Sequence, residues 1–135
     1  MIDLVSEEER LQLSRYAQIH IDTAKQSFGI DLDYSETSIL RLDEIIEQGW
    51  PDQPPAALDQ MILLFGSFLG EAMCQLFGGA WVRNDDGAIG VRVGEATIMV
   101  FTKMKKRFLN GPEDSISYYY QGVKTMLSAN NIIIP

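Results

Sequence analysis

Met61-Ile62-Leu63-Leu64-Phe65-Gly66-Ser67-Phe68-Leu69-Gly70-Glu71 is the stretch whose reading decides the fold. Asp59 and Glu71 bound it, which leaves roughly half of the ~20 apolar residues that a membrane span requires. It therefore reads as a buried central helix over about residues 56–77, with no membrane partner implied. Gly66 and Gly70 are four apart, share a helix face, and predict close approach of another backbone. Gln60, Ser67, Glu71 and Gln75 make a narrow polar stripe, expected to face solvent or a cleft.

Downstream, Gly78-Gly79 stops the helix and the apolar period changes from 3.6 to 2. Residues 80–83 read as a short strand followed by Asn84-Asp85-Asp86-Gly87, a turn sequence. Ile89, Val91 and Val93 alternate with Gly90 and Arg92, Gly94-Glu95 suits a hairpin, and residues 96–101 return as a strand. Residues 80–101 thus predict a three-stranded antiparallel meander. Thr102 then suits the N-cap of a short basic helix carrying Lys103, Lys105, Lys106 and Arg107, which Asn110-Gly111-Pro112 breaks. These four charges are expected on a solvated face that pairs with the acidic first half of the chain. A last helix starts near Pro112-Glu113-Asp114 and turns Ile116, Tyr119, Tyr120, Val123 and Leu127 inward. The apolar Ile132-Ile133-Ile134-Pro135 is expected to cover a core edge or add a strand.

Upstream, Ser6 and Glu9 have capping-box spacing, and Glu7, Glu8 and Glu9 sit where the helix dipole favours negative charge. A helix over residues 6–28 follows, with Leu13, Ala17, Ala24 and Phe28 on one face and Gly29 as its stop. A second helix over residues 35–48 has Ile39, Leu42, Ile45 and Ile46 as its stripe. Between it and the central helix, Trp50-Pro51-Asp52-Gln53-Pro54-Pro55 is a stiff loop, because proline fixes φ and removes donors. The fold class is α+β, a single domain over residues 1–135.

The chain has 11 Lys+Arg against 19 Asp+Glu, a net charge of -8, which disfavours nucleic acid and anionic membranes as partners. Residues 1–60 hold 13 acidic and 4 basic side chains, net -9, whereas residues 61–135 hold 6 and 7, net +1. One cysteine excludes an internal disulfide, and one histidine excludes sites built on several imidazoles. Cys74, within a helix among Ala72, Met73, Leu76 and Phe77, reads as a small buried hydrophobe. His20 reads as a hydrogen-bonded interior or boundary histidine. No nucleophile elbow, phosphate-binding glycine loop or metal-ligand set is present: Asp31-x-Asp33 opens like a calcium loop but lacks its glycine turn and final glutamate. No catalytic residue, metal or cofactor is assigned. With no basic and apolar leader visible at the N-terminus, a cytoplasmic location is expected.

The run Leu64-Phe65-Gly66-Ser67-Phe68-Leu69-Gly70-Glu71, followed by Gly78-Gly79-Ala80-Trp81-Val82, resembles the G-x-x-L-G-E…G-G-x-W pattern of small uncharacterised bacterial domains of unknown function. Phe101-x-Lys103-x-x-Lys106-Arg107 and Asn110-Gly111-x-Glu113-Asp114-Ser115 fit the same pattern, and the resemblance spans about residues 36–127. It implies a compact bacterial α+β domain, marks Glu71, Trp81, Lys106 and Arg107 as motif positions, and carries no activity.

Three readings of function follow. The first is a non-enzymatic interaction protein, an acidic inhibitor or immunity-type factor whose first two helices meet a basic partner. The second is a small-ligand module with a site near Trp50, Glu71 and Trp81 and Arg107 as its anion contact, while the cluster of Lys103, Lys105, Lys106 and Arg107 has an anion or acidic-partner site as its alternative reading. The third is an enzyme using Glu71 or a carboxylate pair as acid and base. A homodimer face formed by Tyr118–Tyr120 and the IIIP segment is compatible with each.

Overall fold

The computed structural model describes residues 2–129 and is a mixed helix-and-sheet fold. The IIIP segment lies outside the described residues. The central helix, α4 here, runs Leu58–Phe77 and is buried at every residue from Leu64 to Gly70. Its 20 residues have the length and apolarity of a membrane span, but a helix apolar on all sides is also what a protein core requires. On one flank α1 (Glu7–Phe28) packs through Leu13, Ala17, His20 and Ala24. Ser6 caps α1 by accepting from the Glu9 amide at 3.1 Å, and Gly29 ends it at φ 66°. The Glu9 carboxylate reaches back to the Ser6 hydroxyl, which donates to its Oε1 at 3.4 Å, and its other oxygen pairs with Arg83 on the sheet.

Two shorter helices, α2 (Glu36–Leu40) and α3 (Leu42–Gly49), replace the single helix expected over residues 35–48. The ladder breaks at Arg41, whose amide bonds Ser38 O at 3.1 Å in an i→i−3 closure. Ile39, Leu42, Ile45 and Ile46 are nevertheless all buried. The Asp33 carboxylate, the calcium-like position, accepts from Ser35 and from Ser38 Oγ and so braces the start of α2.

The sheet has four antiparallel strands in the order β1-β2-β3-β4, one more than the sequence predicts. The extra strand, β1 (Asp3–Leu4), pairs Asp3 with Arg83 and Leu4 with Val82 of β2 (Ala80–Arg83). Two residues are too few to show a period, so backbone pairing alone reveals it. β3 (Ile89–Val93) and β4 (Ala96–Ile98) complete the sheet, and β4 forms its far edge. The last strand ends three residues earlier than expected. α5 (Val100–Asn110) starts there, with Thr102 inside it rather than capping it, because Val100, Lys103, Met104, Arg107 and Phe108 follow a helical period and are buried. Residues Gly111–Asp114 form a 3₁₀ turn, and α6 (Ile116–Ala129) begins after it rather than at Pro112.

Gly66 and Gly70 do not admit a backbone. A Cβ on either would overlap the ring of Phe101 or Trp81 respectively, and these two rings stack 5.8 Å apart on the glycine face of α4.

Candidate functional site

The residues singled out by sequence separate into three places. Glu71 and Trp81 meet. Trp81 is buried and its Nε1 donates to Glu71 Oε1 at 3.2 Å, beside a cleft of about 360 Å³ that Leu4, Arg10 and Cys74 also line. Glu71 is half-buried rather than part of an exposed stripe, and Ser67, one turn back, is wholly buried with an unpartnered Oγ. Burial, together with the charge of Glu71, pushes the Cys74 thiol up to about 12, so it stays protonated and is no nucleophile at neutral pH. Trp50 is elsewhere, in a ring cluster with Phe28, Phe65 and Phe108, and it lines a different cleft. The composite site expected from Trp50, Glu71 and Trp81 is therefore divided across α4.

The basic helix is divided too. Lys105 and Lys106 are exposed, whereas Lys103 and Arg107, one turn apart, point inward instead of lying on a solvated face. The Arg107 side chain is 3% exposed; its Nε donates to Asp43 Oδ1 at 2.8 Å and its Nη2 to Glu47 Oε1 at 2.7 Å. Two carboxylates thus hold the guanidinium through its Nε and Nη2. Asp43 is the centre of this knot. It also accepts from the Ile116 amide at 3.0 Å, the Ser117 amide at 2.9 Å and Ser115 Oγ at 3.0 Å, capping α6 from another helix. Burial opposes ionisation of Asp43, but Arg107 and these amides outweigh it and hold its carboxyl below the usual aspartate range.

Lys103 leads to a third place, which Tyr118 and Tyr119 of the expected homodimer face also line. A groove of about 530 Å³ lies between β4 and α6, with Thr97 and Ile98 on one wall and Tyr118, Gly122 and Met126 on the other. Those three residues of α6 are spaced i, i+4, i+8 and share a face. Tyr118 is 83% exposed and Met126 41%, and a Cβ added at Gly122 meets nothing within 4 Å. Lys103 lies at the polar end: its Nζ is 3.4 Å from Asp114 Oδ1 and 5.3 Å from the centre of the Tyr119 ring. Burial raises the Tyr119 hydroxyl above the usual tyrosine value. The backbone of β4 has no strand beyond it among the described residues.

Two signals in the sequence mark this groove: the Tyr118-x₃-Gly122-x₃-Met126 spacing, and the position of residues 96–98 as the final strand of a meander, hence an edge. His20 is interior as expected, but its Nε2 has no partner; its ring lies against Phe65 at 4.2 Å and Phe68 at 5.1 Å. Burial lowers it to about 4, leaving it neutral. No cluster of three His, Cys, Asp or Glu suited to a metal ion occurs among the described residues. Comparison with protein-family models, curated proteins and solved structures finds no match.

Proposed function

We propose that this chain is a non-enzymatic binding protein whose site is the groove between β4 and α6, and that it takes an extended apolar peptide segment as an added strand. The observation that carries the reading is a sheet edge with no strand beyond it among the described residues, facing an exposed helix face across a groove of about 530 Å³. An edge strand supplies main-chain donors and acceptors to an incoming strand, and the helix wall supplies side-chain selectivity. Ile98, Val123 and Met126 make one end apolar, and the unbranched Met126 adapts to different side chains. Lys103, Asp114 and Ser115 make the other end polar, which sets the direction of the occupant.

A basic partner at the acidic first half is the weaker reading. Glu7, Glu9, Glu36, Asp43, Glu44 and Glu47 each already pair with a cation of this chain. The cleft at Glu71 and Trp81 remains available to a small ligand, but its indole and carboxylate satisfy each other.

Titration with a blocked isoleucine-rich hexapeptide, followed by amide and methyl shifts, tests the proposal. Saturable shifts are expected at Thr97, Ile98, Tyr118 and Met126, little changed by salt and lost in Gly122→Leu, which fills the groove. Shifts elsewhere, or shifts that survive Gly122→Leu, refute it.

A further inference from the structure

We propose that the cleft beside Glu71 and Trp81 is a second binding site, which takes a small organic ammonium ion with a short apolar tail. It lies apart from the groove between β4 and α6 and does not depend on the reading of that groove.

Charge decides the class of ligand. Three ionic side chains, Glu7, Arg10 and Glu71, line this cleft of about 360 Å³ and give its wall a net charge of -1. Arg10 lies one turn beyond Glu7 on α1, and its Nε and Nη2 donate to the two Glu7 oxygens at 2.9 Å and 2.5 Å. That pair is neutral as a unit and sits at the exposed rim. Glu71, half-buried, forms no ion pair among the described residues, so the remaining charge is its own. Burial first, and then this charge, raises the Cys74 thiol and the Tyr34 hydroxyl above their ordinary values.

The same carboxylate is held in place with capacity to spare. Trp81 Nε1 donates to Oε1 at 3.2 Å, and no donor among the described residues reaches Oε2. A carboxylate accepts about four hydrogen bonds, and an ammonium donor makes the stronger, charge-assisted kind. Leu4, Val5 and Ala80 add apolar wall beside the indole. Leu4 is 72% exposed, so a tail laid against it removes apolar surface from water. The volume is at the small end of the range of about 300–1,000 Å³ for ligand sites, which limits the tail to a ring or a short chain. An anion meets like charge here, and a neutral ligand that strips water from Oε2 leaves it without a donor.

The probe is phenethylammonium, set against phenethyl alcohol and phenylpropionate, which keep its shape and change its charge. Saturable movement of the Trp81 indole proton is expected, with a Kd of about 1 mM, while the Trp50 indole proton stays still. The alcohol and the carboxylate should bind at least ten-fold more weakly. Glu71→Gln keeps an acceptor for the indole and should cost about ten-fold, the worth of one charge-assisted hydrogen bond. Gly122→Leu, in the other groove, should change nothing. Equal binding of the alcohol, preference for the carboxylate, or binding that survives Glu71→Gln would overturn the proposal. Shifts confined to Thr97 and Tyr118, or no shift at ~10 mM probe, would overturn it too, and neither result bears on whether the hexapeptide occupies the groove.

Discussion

His20 converts burial into a measurable dependence of stability on pH. Its imidazole is 4% exposed, packs on Phe65 and Phe68, and leaves Nε2 without a partner. Desolvation holds it near 4 in the folded protein against 6.5 in the unfolded chain. Between those values the unfolded chain binds the extra proton, so acidification favours unfolding. The contribution is complete above pH 6.5 and is lost as pH falls toward about 4. Each pH unit across that interval is worth about 1.4 kcal/mol, so about 2 kcal/mol is gone at pH 5 and about 3 kcal/mol by pH 4. Glu36 and Asp43 are held below their ordinary values of 4.5 and 3.8, so their losses fall at lower pH and leave the window from 5 to 6.5 to the histidine. Urea unfolding at pH 8, 6.5 and 5 should show this fall in the parent, and His20→Leu should flatten it over the same window. The chain has one histidine, so its imidazole proton signal reports the folded-state titration without ambiguity. A midpoint near 6.5 in the folded protein would refute the argument, as would an unchanged slope in His20→Leu.

Two further substitutions probe the packing. Asp43→Ala removes an ion pair from an arginine that is 3% exposed and a cap from α6 at once, and should cost about 3–5 kcal/mol in urea unfolding, the range for breaking a buried pair. A cost near 1 kcal/mol would mean that Glu47 alone satisfies Arg107. Gly70→Ala and Gly122→Ala make the same chemical change in helices with opposite surroundings. The first drives a methyl into Trp81 and should destabilise by about 1–3 kcal/mol, whereas the second meets open space and should stabilise by about 1 kcal/mol. Thermal melts that move in the same direction for both would contradict the packing described at α4.

Local chemistry was legible in the sequence wherever one element determines its own ends. Ser6 and Gly29 bound α1, and the four apolar positions of residues 35–48 all reach the core although the helix carrying them breaks at Arg41. The switch from helix to strand after Gly78-Gly79 was legible for the same reason, since it lies in the period. What escaped depends on a partner distant in the chain. β1 is a strand only because β2 lies beside it, and the delayed start of α6 reflects Asp43, more than 70 residues earlier, bonding the Ile116 and Ser117 amides. The basic run shows the same limit: charge counting puts Lys103 and Arg107 on a solvated face, but their spacing with Val100, Met104 and Phe108 puts them inside. Long aliphatic stems make that tolerable, provided each charged head finds a carboxylate.

The two inward cations of α5 meet different surroundings: Arg107 borders clefts of about 290 and 230 Å³, and Lys103 the groove of about 530 Å³. Arg107 presents a planar fork, and two helix-borne carboxylates grip it at 2.8 Å and 2.7 Å. Lys103, one turn earlier, has three donors and, among the described residues, one ion-pair partner at the longer distance of 3.4 Å, with the face of Tyr119 5.3 Å away. A lysine with unused donor capacity at the end of an apolar groove can accept a peptide carbonyl as a partner without breaking a structural contact. The two cations therefore differ in how closely they are held, Arg107 at 2.8 Å from Asp43 and Lys103 at 3.4 Å from Asp114.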